Sequence, residues 1–190
     1  GIDATVASFA AALTVGGIAG SGAGTGASAT NEVYARTEAS VADAVGAGIW
    51  AGRDIQVEAT DTSQLDSWVG AASVAGAIGV YSGALSVAVS VAQNTVSSTV
   101  SAYIRNSDVA ARNVEVTAEH DSSVTAHSEA AALAASTGLT VAGGGAATTI
   151  TGGNTVKAYV TGTGGDDALT LSGDLTVDAT ASTDYVGDVG

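Results

Sequence analysis

The sequence predicts an all-β protein, a parallel β-helix or β-solenoid, and three observations carry that prediction: a repeat of about sixty residues, strict alternation of apolar and polar positions, and a composition of very small side chains. The segment Asp54-Ile55-Gln56-Val57-Glu58-Ala59 returns as Asn113-Val114-Glu115-Val116-Thr117-Ala118 and again as Asp174-Leu175-Thr176-Val177-Asp178-Ala179, at spacings of 59 and 61 residues. Self-similarity at a fixed period is the signature of stacked repeat architectures. In Leu85-Ser86-Val87-Ala88-Val89-Ser90-Val91 the branched residues fall on one face, the period-2 pattern of a half-buried strand. Of 190 residues 26 are Gly, one is Phe, two are Trp, and none is Met, Pro or Cys. Such a chain reaches interior packing density only where backbones approach closely over a long, regular contact.

Two further markers subdivide the unit. Asn-x-Val occurs at Asn31, Asn94 and Asn154, and Leu-Thr-Val followed by Gly-rich sequence at Leu13 and Leu139. The 18- and 23-residue separations of Leu13, Asn31 and Asp54 predict that each unit holds about three rungs of roughly twenty residues. Nine or ten such rungs, at about 4.8 Å each, predict a rod on the order of 45 Å long. The first repeat match, at an offset of 59, also pairs Val41 with Val100, Trp50 with Val109 and Arg53 with Arg112. Residues 1–190 read as one continuous segment with units of approximately 1–70, 71–130 and 131–190. The missing Met marks a processed piece or a fragment of a longer chain, and Gly1-Ile2-Asp3 shows no charged n-region or cleavage site.

The run Ala130 to Ala135 suits a helix by propensity. The repeat sets it beside Ala71-Ala72-Ser73-Val74-Ala75-Gly76, and Thr, Val and Gly neighbours oppose a helix, so a strand is expected. Gly20 to Gly24 and Gly143-Gly144-Gly145 are expected as tight corners or as places where layers meet with no side chain between them. The absence of Pro suits a ladder in which every N–H is needed.

A formal charge of −14 repels phosphate and anionic lipid, so nucleic acid is not expected as a partner. Residues 67 to 104 carry no charge, long enough for a membrane span, but their alternation and their Ser, Thr and Gly content are not those of a lipid-facing helix, and no membrane insertion is expected. Units such as Asn94-Thr95-Val96 to Ala102-Tyr103-Ile104, followed by Asn113 to Ala118, resemble the repeats of the filamentous-haemagglutinin-like class of giant bacterial surface exoproteins. That resemblance implies a long, mostly right-handed parallel β-helix, an extracellular or bacterial cell-surface location, and a role in adhesion, aggregation or biofilm. The secretion domain of that class has no counterpart in these residues, and Gly52-Arg53-Asp54 has the wrong order for a receptor tripeptide.

Sites for chemistry are sparse. No nucleophile elbow, zinc-protease helix or phosphate loop occurs. His120 and His127, seven apart, fall on opposite faces of a strand and are expected as solvated surface residues rather than joint ligands. Asp166 and Asp167, in Gly162 to Leu169, resemble one imperfect copy of a calcium-binding nonapeptide; a polar corner is favoured, with calcium the one cofactor left open. Asn31, Asn94 and Asn154 are expected to bond backbone groups at turns. Arg53 and Arg112 are expected in surface pairs worth little individually. Tyr103 and Tyr159, in matching Val-x-Ala-Tyr contexts, are expected to point outward as surface contacts. The function expected is a structural or adhesive rod rather than an enzyme, with neighbouring repeats, like subunits, or host and matrix glycans and proteins as partners. Two alternatives are kept: a β-helical polysaccharide-active enzyme, which requires carboxylates and a cation converging on a groove, and a self-assembling filament subunit.

Overall fold

A computed structural model describes residues 1–46, 48–162 and 168–190. Among them there is no helix; the chain is all-β, with parallel strands in three sheets, an arrangement compatible with a β-helix or solenoid. The strands are β1 (Ile2–Val15), β2 (Ile18–Ala42), β3 (Ile49–Trp50), β4 (Ile55–Ile78), β5 (Tyr81–Arg105), β6 (Val109–Ala111), β7 (Val114–Ser136), β8 (Leu139–Gly152), β9 (Thr155–Thr161), β10 (Leu169–Leu171) and β11 (Leu175–Val189). One long sheet runs β1-β4-β7-β11. A second runs β2-β5-β8, with β9 also on β5, and the short third runs β10-β6-β3. The chain visits the first, second and third sheets in turn and then returns to the first.

Register fixes the size of that circuit. Ile2 pairs with Leu65, Ile55 with Val114, and Leu175 with Val114, so hydrogen-bonded neighbours stand about sixty residues apart. The expected rungs of about twenty residues are therefore corrected: the three segments of a unit lie side by side in three sheets, not one above another. Each sheet is a stack of three or four strands, roughly 15 to 20 Å high rather than 45 Å. The physical reason is that Gly20 to Gly24, expected as corners, stay extended inside the 25-residue β2. Nothing in that stretch interrupts the period-2 pattern, and glycine tolerates extension as readily as a turn.

The expected pairings divide. Ala71–Gly76 lies beside Ala130–Ala135 as the repeat requires. Val41, however, pairs with Ile104 rather than Val100, and Trp50 with Ala110 rather than Val109. The second sheet has a step of 63 residues here and the third sheet one of 60, because the corner after β2 is three residues longer than that after β5. Leu13 and Leu139, taken as equivalent, lie in different sheets.

The two long sheets face each other and enclose a thin interior. At one end, two-residue links join them: Gly16-Gly17, Gly79-Val80 and Thr137-Gly138. A Cβ on Gly79 would fall on the Gly16 carbonyl oxygen, and one on Gly138 on the Ser82 carbonyl oxygen, so these links stack backbone on backbone. The layers stay close beyond the links. The Ser73 and Ser86 hydroxyls meet at 2.6 Å, those of Ser90 and Ser128 at 2.8 Å, and the surrounding core is alanine: Ala75, Ala77, Ala84, Ala88 and Ala92. A Cβ on Gly144 would lie 3.0 Å from the Ala130 carbonyl oxygen, the meeting of layers expected for that glycine cluster. Toward the third sheet the layers diverge, and Val57, Val100, Ile104, Val109, Val114 and Val116 fill the wider space.

Candidate functional site

Because the interior is continuous, chemistry available to a partner lies on the outer faces and corners. On the second sheet, the register of β5 with β9 places Tyr103 beside Tyr159, their rings stacked with centroids 4.9 Å apart and planes 4° from parallel. The matching sequence contexts had marked this pair, and it is a ladder, the arrangement in which identical outward side chains recur at each strand step. The Tyr103 hydroxyl donates to Glu38 at 2.5 Å, and Arg36 reaches the other oxygen of Glu38 at 2.6 Å. The Tyr103 hydrogen bond first, and then Arg36, hold the Glu38 carboxyl below its ordinary range. Arg105 lies 6.0 Å from the Tyr103 ring centroid, at the outer limit of a cation–π contact.

Around the third sheet sequence reasoning missed Trp50. Its side chain is 79% exposed and borders a hollow of about 460 Å³ whose floor is small: Ala51, Gly52, Ala110 and Thr170. A lone aromatic outside any alternating run gives no sequence signal; the floor comes from register, which sets Ala110 and then Thr170 beside Trp50.

Corners carry the polar staples. Arg112 donates through Nε and Nη2 to the two oxygens of Asp54, at 3.0 and 2.7 Å, and Asn113 Nδ2 donates to the same carboxylate at 2.8 Å. The Arg112 hydrogen bond lowers the Asp54 pKa. This surface pair matches expectation for Arg112. At the next corner Asp43 and Asn106 both adopt left-handed φ, 59° and 47°, and Asn106 Nδ2 donates to Asp43 Oδ1 at 2.7 Å. Asn and Asp accept that conformation at modest cost.

Two of the three asparagines are placed differently from expectation. Asn31 and Asn94 lie inside β2 and β5, not at turns, and form a ladder in which Asn31 Nδ2 donates to Asn94 Oδ1 at 2.9 Å. Asn154 does not continue it. The step from β5 to β8 and β9 is 56 residues, so Asn94 pairs with Ile150, and Asn154, between β8 and β9, accepts the Ser98 N–H at 3.1 Å. The sixty-residue sequence spacing of Asn94 and Asn154 thus misstates the register by four.

The histidines fall on opposite faces as expected, but His120 is not a surface residue. Its side chain is fully buried between the layers, and Nδ1 donates to Asp61, itself only 13% exposed, at 3.0 Å. His120 Nε2 and Ser98 Oγ are buried without a hydrogen-bond partner. His127 points outward between Glu129, 2.7 Å from Nε2, and Asp188, 3.2 Å from Nδ1. Glu129 first, and Asp188 with it, raise the His127 pKa above 6.5.

The candidate calcium ligands Asp166 and Asp167 lie outside the described residues. Among the described residues no group of three or more His, Asp or Glu side chains is gathered to hold a metal ion, and no helix is long and apolar enough to cross a membrane. These features define an all-β, parallel-sheet protein whose outer surface carries ladders and corner staples. Neither a family model, nor a curated protein, nor a solved structure matches the chain.

Proposed function

We propose that this chain is part of an extracellular structural or adhesive rod, a β-solenoid belonging to a large bacterial surface or fibre protein that mediates attachment, aggregation or matrix formation. The observation that carries the reading is the parallel register: each sheet gains one strand about every sixty residues, so length grows without any change in cross-section. That is the economy of a shaft, in which one unit contacts its neighbours and repetition sets the reach. The interior supports it, since Ala, Ser and Val columns pack regularly and leave outward residues to vary. The Tyr103–Tyr159 ladder and the Trp50 hollow are the contact surfaces such a shaft offers to host or matrix glycans and proteins.

Negative-stain images of the native protein, released from the cell surface, test the reading. Rods of constant width are expected; compact particles overturn it. Incubation with purified polysaccharides supplies the second arm: a time-dependent rise in reducing ends that depends on the protein replaces the shaft with a β-helical polysaccharide-active enzyme.

A further inference from the structure

The outer face of the second sheet next to the two-residue links carries large apolar residues that no part of the described chain covers. Register sorts its outward positions into rows. The middle row, on β5, is Leu85, Val87, Val89 and Val91, and the first three are 50, 42 and 45% exposed. The row on β2 reads Gly22, Gly24, Gly26 and Ser28 against them, and the row on β8 reads Val141, Gly143, Gly145 and Ala147. A branched ridge therefore runs between two furrows. No charged residue falls in β2 before Glu32, in β5 before Arg105, or anywhere in β8.

Nothing within the chain explains the furrow glycines. None has positive φ. A Cβ on Gly22, Gly143 or Gly145 would meet nothing within 4 Å, and one on Gly24 or Gly26 only a carbonyl oxygen at 3.9 or 3.8 Å. Glycine inside a strand costs backbone entropy and contributes no side-chain packing, so the chain bears this cost where a branched residue would fit. An outside surface that must come close to the backbone accounts for it.

We infer that this face docks on the same face of a second copy, the Leu85–Val91 ridge of each entering a glycine furrow of the other. Ridge and furrow are adjacent strands, so a shift of one strand spacing, about 4.8 Å, brings each ridge over the other's furrow. Over residues 81–91 the two strands of each copy that face each other after this shift measure roughly 35 Å by 10 Å, so the pair covers on the order of 700 Å², the size of a weak, reversible association. With no charge on the face, two chains of net charge −14 meet without placing carboxylates opposite each other. The outer face of the first sheet near the same links is also apolar, with Phe9, Leu13, Val15, Ile78 and Leu133 exposed, but its rows hold no unbroken run of glycines to receive a ridge. The inference deepens the proposed function, since such pairing is a means of lateral aggregation, and it rests on that reading only for its biological use.

Sedimentation equilibrium of the protein from low micromolar to sub-millimolar concentration tests it. Concentration-dependent dimers are expected. Gly24→Val fills the furrow with a good strand former, so it should leave the thermal midpoint unchanged or higher while weakening the dimer at least about tenfold. Val87→Lys should weaken it similarly. A protein that stays monomeric throughout overturns the inference and leaves the shaft reading standing, which imaging decides separately. Association unaffected by Gly24→Val overturns it in favour of pairing at sheet edges. Flotation of the protein with phosphatidylcholine vesicles, abolished by Val87→Lys, overturns it in favour of a lipid surface.

Discussion

The buried His120–Asp61 pair gives the sharpest energetic prediction. Asp61 of β4 and His120 of β7 are register partners that point between the layers, and Ser63 Oγ also donates to Asp61 at 3.2 Å. Replacing Asp61 with Ala removes the acceptor of His120 Nδ1, while His120 Nε2 already lacks a partner. An imidazole with both nitrogens unsatisfied in a buried site carries a desolvation penalty of about 1–3 kcal/mol, with the lost hydrogen bond to a charged group in the same range. We therefore expect Asp61→Ala to destabilise by about 2–4 kcal/mol. Replacing both residues, as Asp61→Val with His120→Val, removes the polar groups together and puts strand-favouring side chains in a column that continues through Ala181. The double variant should lie within about 1 kcal/mol of the parent, and a double-mutant cycle should return a coupling of about 2 kcal/mol or more. Urea unfolding followed by circular dichroism measures the parent, Asp61→Ala, the double variant, and the Asp61→Val and His120→Val single variants that close the cycle. Additive single effects, or an Asp61→Ala cost below about 0.5 kcal/mol, the scatter of neutral surface changes, would refute the reasoning.

Three other outcomes follow from the same structure. Gly79→Ala and Gly138→Ala should each destabilise by about 1–3 kcal/mol, because the new Cβ must displace a backbone carbonyl, that of Gly16 in the neighbouring link or of Ser82 at the start of β5; Gly22→Ala, which meets open space, should not lower the thermal midpoint. The pKa of His127 is raised in the folded protein by Glu129 and Asp188, so its contribution is complete below its unfolded value of about 6.5 and is lost as pH rises through the folded value. Thermal midpoints of the parent minus those of His127→Gln should therefore narrow across that window, and a difference that does not change with pH would contradict it. Tyr159→Ala should remove the near-ultraviolet signal of the stacked pair and cost about 0.5–1.5 kcal/mol, with the far-ultraviolet spectrum unchanged.

Much of this was legible in the residues. The alternation of Val114, Val116 and Ala118 against Glu115, Thr117 and Glu119 located a strand and its buried face, and the return of that segment located its neighbours to the residue. The tyrosine pair was visible because identical contexts, once in register, stack identical side chains. The Trp50 hollow was not, since its register depends on corner lengths that vary from unit to unit, and although the 59-residue offset pairs Asp61 with His120, it does not tell that the pair is buried between the layers.

Which face of a strand is inside was a matter for the tertiary structure. Leu85, Val87 and Val89 have the look of core residues, yet Ser86, Ala88 and Ser90 are the ones enclosed. The two-residue links hold the layers so close that only small side chains fit between them near that end, and the branched ones are turned outward. Sequence by itself determined the parallel all-β architecture and its sixty-residue period, because backbone hydrogen bonding and alternation are local properties repeated in register. The distance between layers, the division of each unit among three sheets, and the burial of a histidine arise only when separate stretches meet, and no single stretch encodes that meeting.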